Sequence, residues 1–155
     1  MIPAVGTLAP NFTLPDQDAV SHTLSIHRGA RVLLYFYPKD DTPGCTKQAC
    51  MLRDAMPELS KLDAIVLGIS ADSVKSHKKF AEKYGLPFTL LADEEKEVSK
   101  AYGVWGIKKM MGKEYEGITR TSFLIGRDGT IEKVFENVKA EKHADDVLAY
   151  LQEHA

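Results

Sequence analysis

The sequence predicts an α/β fold in which a central mixed β-sheet is flanked by helices, and three observations carry that expectation. Apolar runs at residues 31–37, 64–70 and 88–92 are short and lack alternation, so each reads as a strand covered on both faces. Helical stretches separate them, the βαβ order that gives parallel pairing. Runs at 119–125 and 130–135 flank Asp128-Gly129, a pair that favours positive φ and therefore a hairpin. The length of 155 residues suits a single domain, expected to span 1–155 and to fold without staples or metals.

Each element has a local reason. Residues 1–21 hold Pro3, Pro10 and Pro15 among scattered apolar side chains and read as an extended segment lying on the surface. The strand at 31–37 is closed by Pro38. After Lys39-Asp40-Asp41, Thr42-Pro43 reads as helix N-cap and first helical residue, because proline there forfeits no hydrogen bond and its φ is already helical. That helix is expected to kink or end near Pro57. A helix at 73–84 is stopped by Gly85 and Pro87, and a shorter one at 94–102 by Gly103. Lys108-Lys109-Met110-Met111-Gly112-Lys113 reads as a solvated connection. A last helix at 141–154 places Ala144, Val147, Leu148 and Leu151 on one face. His22, His27, His143 and His154 read as surface residues, and Lys75 to Lys79 with His77 as a helix face. This succession follows the order of a thioredoxin-like fold, which by itself sets no function.

Charge and composition remove several function classes. Lys plus Arg number 20 against 22 Asp plus Glu, for a net charge of −2, so no nucleic-acid partner is expected. The longest apolar run falls far short of the ~18 residues that span a bilayer, so no membrane segment is expected. The first residues carry neither a basic n-region nor an apolar h-region, which makes the cytoplasm the expected location. Two cysteines cannot make a four-thiolate zinc site, and no histidine has ligand spacing to them, so no metal is expected.

The two cysteines carry the chemistry. With Thr42 as N-cap, Cys45 falls in the first helical turn, where unpaired N–H groups and the positive end of the dipole favour thiolate over thiol. Cys50 follows five residues later, which on an ideal helix sets the Cα atoms roughly 8–9 Å apart. A disulfide does not close beyond ~7 Å, so pairing requires at least one turn to unwind. The spacing also differs from the Cys-x-x-Cys of dithiol oxidoreductases, which favours chemistry through one oxidised sulfur. Taken without further context, either cysteine also fits simple core packing.

Tyr37-Pro38, Thr42-Pro43-Gly44-Cys45-Thr46 and Gln48-Ala49-Cys50 resemble the active-site segment of the peroxiredoxins, and more narrowly of their Q-type, or bacterioferritin comigratory protein, subfamily. The resemblance extends through Val66-Leu67-Gly68-Ile69-Ser70, Phe88-Thr89-Leu90-Leu91, Gly103-Val104-Trp105-Gly106 and Ser122-Phe123-Leu124-Ile125. It implies a thiol peroxidase acting on hydrogen peroxide and organic hydroperoxides in antioxidant defence. Pro38, Thr42 and Cys45 would form the family's Pro-x-x-x-Thr-x-x-Cys motif, completed by Arg120 from a distant strand. Cys45 would become a sulfenic acid, and Cys50 would condense with it to an intramolecular disulfide that thioredoxin, or alternatively a glutaredoxin, reduces. Thr42 can offer its hydroxyl to the peroxide or cap the helix. Pro38 would shield the sulfur from water, and Gln48, three residues past Cys45, could brace the pocket. No cofactor is called for, and the protein is expected to act as a monomer. The competing readings are a thiol-disulfide exchange protein on the same fold and a non-enzymatic binding domain.

Overall fold

A computed structural model describes the chain over residues 1–155. β1 (Thr13–Pro15) and β2 (Ser21–Thr23) make a short antiparallel pair, followed by a 3-10 turn at Leu24–His27. β3 (Arg31–Phe36), α1 (Pro43–Lys61), β4 (Ala64–Ser70), α2 (Val74–Tyr84), β5 (Thr89–Ala92) and α3 (Glu97–Ala101) follow in alternation. β6 (Trp105–Met110) and β7 (Lys113–Ile118) form a separate hairpin. β8 (Thr121–Ile125), β9 (Ile131–Phe135) and α4 (His143–Glu153) complete the chain.

The central sheet has the order β5-β4-β3-β8-β9. β3, β4 and β5 pair in parallel, while β8 and β9 are antiparallel, giving the mixed sheet between helices that the sequence predicts. β3 is central, and all six of its residues are buried. Because successive side chains point to opposite faces, β3 splits the core in two. Leu33, Tyr35 and the following Tyr37 join one cluster; Val32, Leu34 and Phe36 join the other. The first cluster takes Cys45, Ala49, Leu52, Ala55 and Leu59 from α1, a helical spacing of threes and fours. Each fully buried leucine there contributes roughly 1.5–3 kcal/mol. The β8–β9 turn is held by the Asp128 carboxylate, which accepts from the N–H and hydroxyl of Thr130, with Gly129 at φ 89°.

Four expectations need correction. α1 does not end near Pro57 but runs through it to Lys61, because Pro57 lies on the solvent face, where water can take the freed carbonyl, and Leu59 beyond it is fully buried. α3 is shorter than 94–102: Lys96 adopts φ 61°, and the Asp93 carboxylate caps the helix by accepting from the N–H groups of Val98 and Ser99. Residues 108–113 are a hairpin rather than a loop, turning at Met111 and Gly112, both at positive φ. His77 and His143 are buried, and each spends its ring nitrogens on internal partners.

Candidate active site

The carboxyl end of β3 feeds residues 38–42, and this loop is held from below. The Asp40 carboxylate accepts from the Tyr37 hydroxyl at 2.6 Å, the Ser76 hydroxyl at 2.8 Å and His77 Nδ1 at 2.7 Å. His77 Nε2 donates in turn to the Leu91 carbonyl at 3.0 Å, and the Asp40 N–H donates to Asp72 at 2.8 Å. The loop is thereby tied to α2 and β5. Donor atoms of Asp40, Asp72 and His77 lie within 4.8 Å of one another, but each already serves a protein partner that a cation would have to displace.

At the mouth of α1, Thr42 adopts the extended N-cap conformation and its carbonyl receives the first helical hydrogen bond, from Thr46 N–H. Its side chain caps nothing; the hydroxyl donates to the Lys39 carbonyl at 2.9 Å. With its proton committed there, that oxygen is left free to accept. Pro38 is half-buried on the same loop. Cys45, third residue of the helix, is 2% exposed, and Arg120 Nη1 donates to its Sγ at 3.5 Å. Arg120 stands just before β8 rather than within it, and its guanidinium reaches Cys45 and Gln48 on α1. Gly44 makes room for it: a Cβ there would sit 3.0 Å from Arg120 Nη2.

The same Arg120 Nη1 donates to Gln48 Oε1 at 2.6 Å. Gln48, fully buried, continues from its amide nitrogen to His143 Nδ1 at 3.1 Å, and His143 Nε2 reaches the Ser122 hydroxyl at 2.7 Å. Burial, then the Arg120 charge, push the His143 imidazole down to about 3, so it is neutral at pH 7. The structure thus brings Cys45, Gln48 and Arg120 into one group, with Thr42 and Pro38 on the loop leading into it. Cys50 lies apart, half-buried on the same unbroken helix, and both cysteines are free thiols.

Sequence reasoning missed three neighbours. Lys108 Nζ donates to the Ile118 carbonyl at 2.8 Å, two residues from Arg120. Burial and the Arg120 charge lower its pKa, while Cys45 acts the other way, so the β6–β7 hairpin delivers a second cation to the site. Tyr35 shares the core cluster of Cys45; burial, then the Cys45 charge, push its phenol well above the usual range, and its hydroxyl has no partner. His143 is the third. No motif marks these residues, although the glycine ahead of Cys45 hints at a close approach.

Over residues 5–134 the chain matches the AhpC/TSA family. It is 55% identical to the Peroxiredoxin Bcp of Escherichia coli over 150 residues, covering 97% of this chain and 96% of that protein. The chain belongs to the peroxiredoxins. Peroxiredoxin Bcp of Bacillus subtilis is 43% identical over 149 residues, or 96% of this chain and 95% of its own. PrxQ of Xylella fastidiosa, solved as a cysteine mutant, superposes with a TM-score of 0.93 at 35% identity, over 99% of this chain and 98% of that one. This peroxiredoxin is therefore of the Bcp/PrxQ type, a thiol peroxidase that works through cysteine.

Proposed function

We propose that Cys45 is the peroxidatic nucleophile and Cys50 the thiol that resolves it. The Cys45 thiolate attacks one peroxide oxygen; the S–O bond forms as the O–O bond breaks, and the departing hydroxide or alkoxide takes a proton from water. Arg120 offers fixed positive charge to both sulfur and leaving oxygen, and its single nitrogen shared between Cys45 and Gln48 is the observation that carries this reading. Thr42 accepts from the peroxide O–H and sets its line of attack. Pro38 contributes no N–H and keeps water from the sulfur. Gln48 braces Arg120.

The Cys50 thiol then displaces hydroxide from the Cys45 sulfenic acid, giving a disulfide and water. Both residues lie on α1, so its first turns unwind for this step. An external dithiol, thioredoxin or a glutaredoxin, attacks the disulfide and restores both thiols. Hydrogen peroxide and small organic hydroperoxides are the substrates, the whole chain acts as one monomeric domain, and the cytoplasm is its place. No helix is long and apolar enough to cross a membrane.

Stopped-flow peroxide consumption tests the assignment. Cys50→Ser is expected to complete one fast turnover and then stall, and Cys45→Ser to consume no peroxide. Full turnover by Cys45→Ser would overturn the reading. Insulin reduction without peroxide would instead favour the thiol-disulfide exchange alternative.

A further inference from the structure

We infer that His143 is a positioning residue for the peroxide reaction: as a neutral imidazole carrying its proton on Nε2, it fixes the direction of the Gln48 amide and thereby the place of Arg120. The inference rests on the reading of Arg120 as the charge that serves Cys45.

The argument follows donors and acceptors along one buried chain. A guanidinium has hydrogens to give and no lone pair to receive, so the Gln48 atom 2.6 Å from Arg120 Nη1 is the amide oxygen. The amide nitrogen then faces His143 Nδ1 at 3.1 Å and must donate, which leaves Nδ1 without a proton. The neutral ring carries its hydrogen on Nε2, and Nε2 lies 2.7 Å from the Ser122 oxygen, which receives it. Every direction is set by the one before it. Gln48, Ser122 and His143 are at most 1% exposed, so water does not offer a competing partner.

The surroundings hold the imidazole in that state. From α1 it meets Gln48, and from β8 Ser122. From β3 and β9 it meets the rings of Tyr35 and Phe135, with centroids at 5.9 and 6.3 Å. The charged group acting on it is Arg120, and no carboxylate hydrogen-bonds to it. His143 is also the first residue of α4, where the positive end of the helix opposes a cation. A protonated ring would present N–H on both sides. Gln48 would have to turn its amide over, setting its NH2 against the guanidinium and releasing the arginine nitrogen that also serves Cys45.

Two measurements test this. In protein labelled with 15N at histidine, His143 should show an unprotonated Nδ1 and a protonated Nε2 from pH 5 to 8. The opposite tautomer, or an imidazolium at neutral pH, would overturn the inference, and this readout needs no variant. The second is the rate constant of Cys45 oxidation by hydrogen peroxide. His143→Leu, which offers Gln48 no acceptor, should lower it by about tenfold, the low end of what losing an orienting hydrogen bond costs a site. His143→Asn, whose Oδ1 falls near the place of Nδ1, should keep it within about threefold. Equal rates in both variants, whether both fall or neither does, would sink the idea. A wild-type protein lacking Cys45-dependent peroxide consumption would defeat the peroxidase reading instead, leaving the tautomer as found.

Discussion

Gly44 shows how a single atom can govern this site. A methyl group in place of its hydrogen would stand 3.0 Å from Arg120 Nη2, closer than ordinary packing allows, and the guanidinium is the partner able to move. Helix propensity favours alanine over glycine, so Gly44→Ala should leave the melting temperature unchanged or slightly higher. Peroxide consumption should nonetheless fall severalfold, because a shift of a few tenths of an ångström loosens Arg120 from both Cys45 and Gln48. Parallel thermal melts and stopped-flow traces would separate the two effects. At this scale the presence and spacing of Pro38, Thr42 and Cys45 were legible, while a role for them, and the choice of Arg120, came only from the resemblance. Their directions were not legible: whether the Thr42 hydroxyl caps the helix or donates to Lys39 depends on backbone angles that no residue type specifies.

Among the elements, the join between the loop at residues 38–42 and α2 stands out. Asp40 and His77 are a buried pair at 2.7 Å with side chains 3% and 0% exposed, and Tyr37 and Ser76 donate to the same carboxylate. Removing one partner from such a pair strands the other, at a cost of about 3–5 kcal/mol. Asp40→Ala and His77→Leu should each lower the urea midpoint by a corresponding amount, while the double variant should regain much of the loss. Additive losses in that cycle would show that the two side chains act independently. His77 was invisible in the sequence because a lone histidine among lysines reads as surface, and its burial arises only when α2 packs over the loop. The β6–β7 hairpin escaped for a different reason. It buries little apolar surface, with Ile107, Met110 and Met111 exposed, so hydrophobic periodicity had nothing to register. Strands β3 and β8 are buried along their length and β4 at every residue but Ile65, and their apolar runs announced them.

For the molecule as a whole, the buried imidazole of His143 sets a dependence on acidity. Burial and Arg120 hold it at about 3 in the folded protein, against 6.5 when released. Between those values the unfolded chain binds the extra proton, so stability is full above pH 6.5 and drains away as pH falls toward 3, at about 1.4 kcal/mol per pH unit. The lowered carboxyl of Asp16, favoured by backbone N–H groups against its burial, works in the same direction. Urea unfolding at pH 7 and pH 5 should show the lower midpoint at pH 5, and equal midpoints would contradict it. The split core adds a consequence for the redox cycle. α1 sends side chains into only one of the two clusters; the other, around Val32, Leu34, Phe36 and Phe123, receives none. In the cycle proposed above, joining Cys45 to Cys50 would therefore strain one hemisphere while the far one served as a keel, and a molecule built this way could fray and reseal on every turnover without losing its bearings.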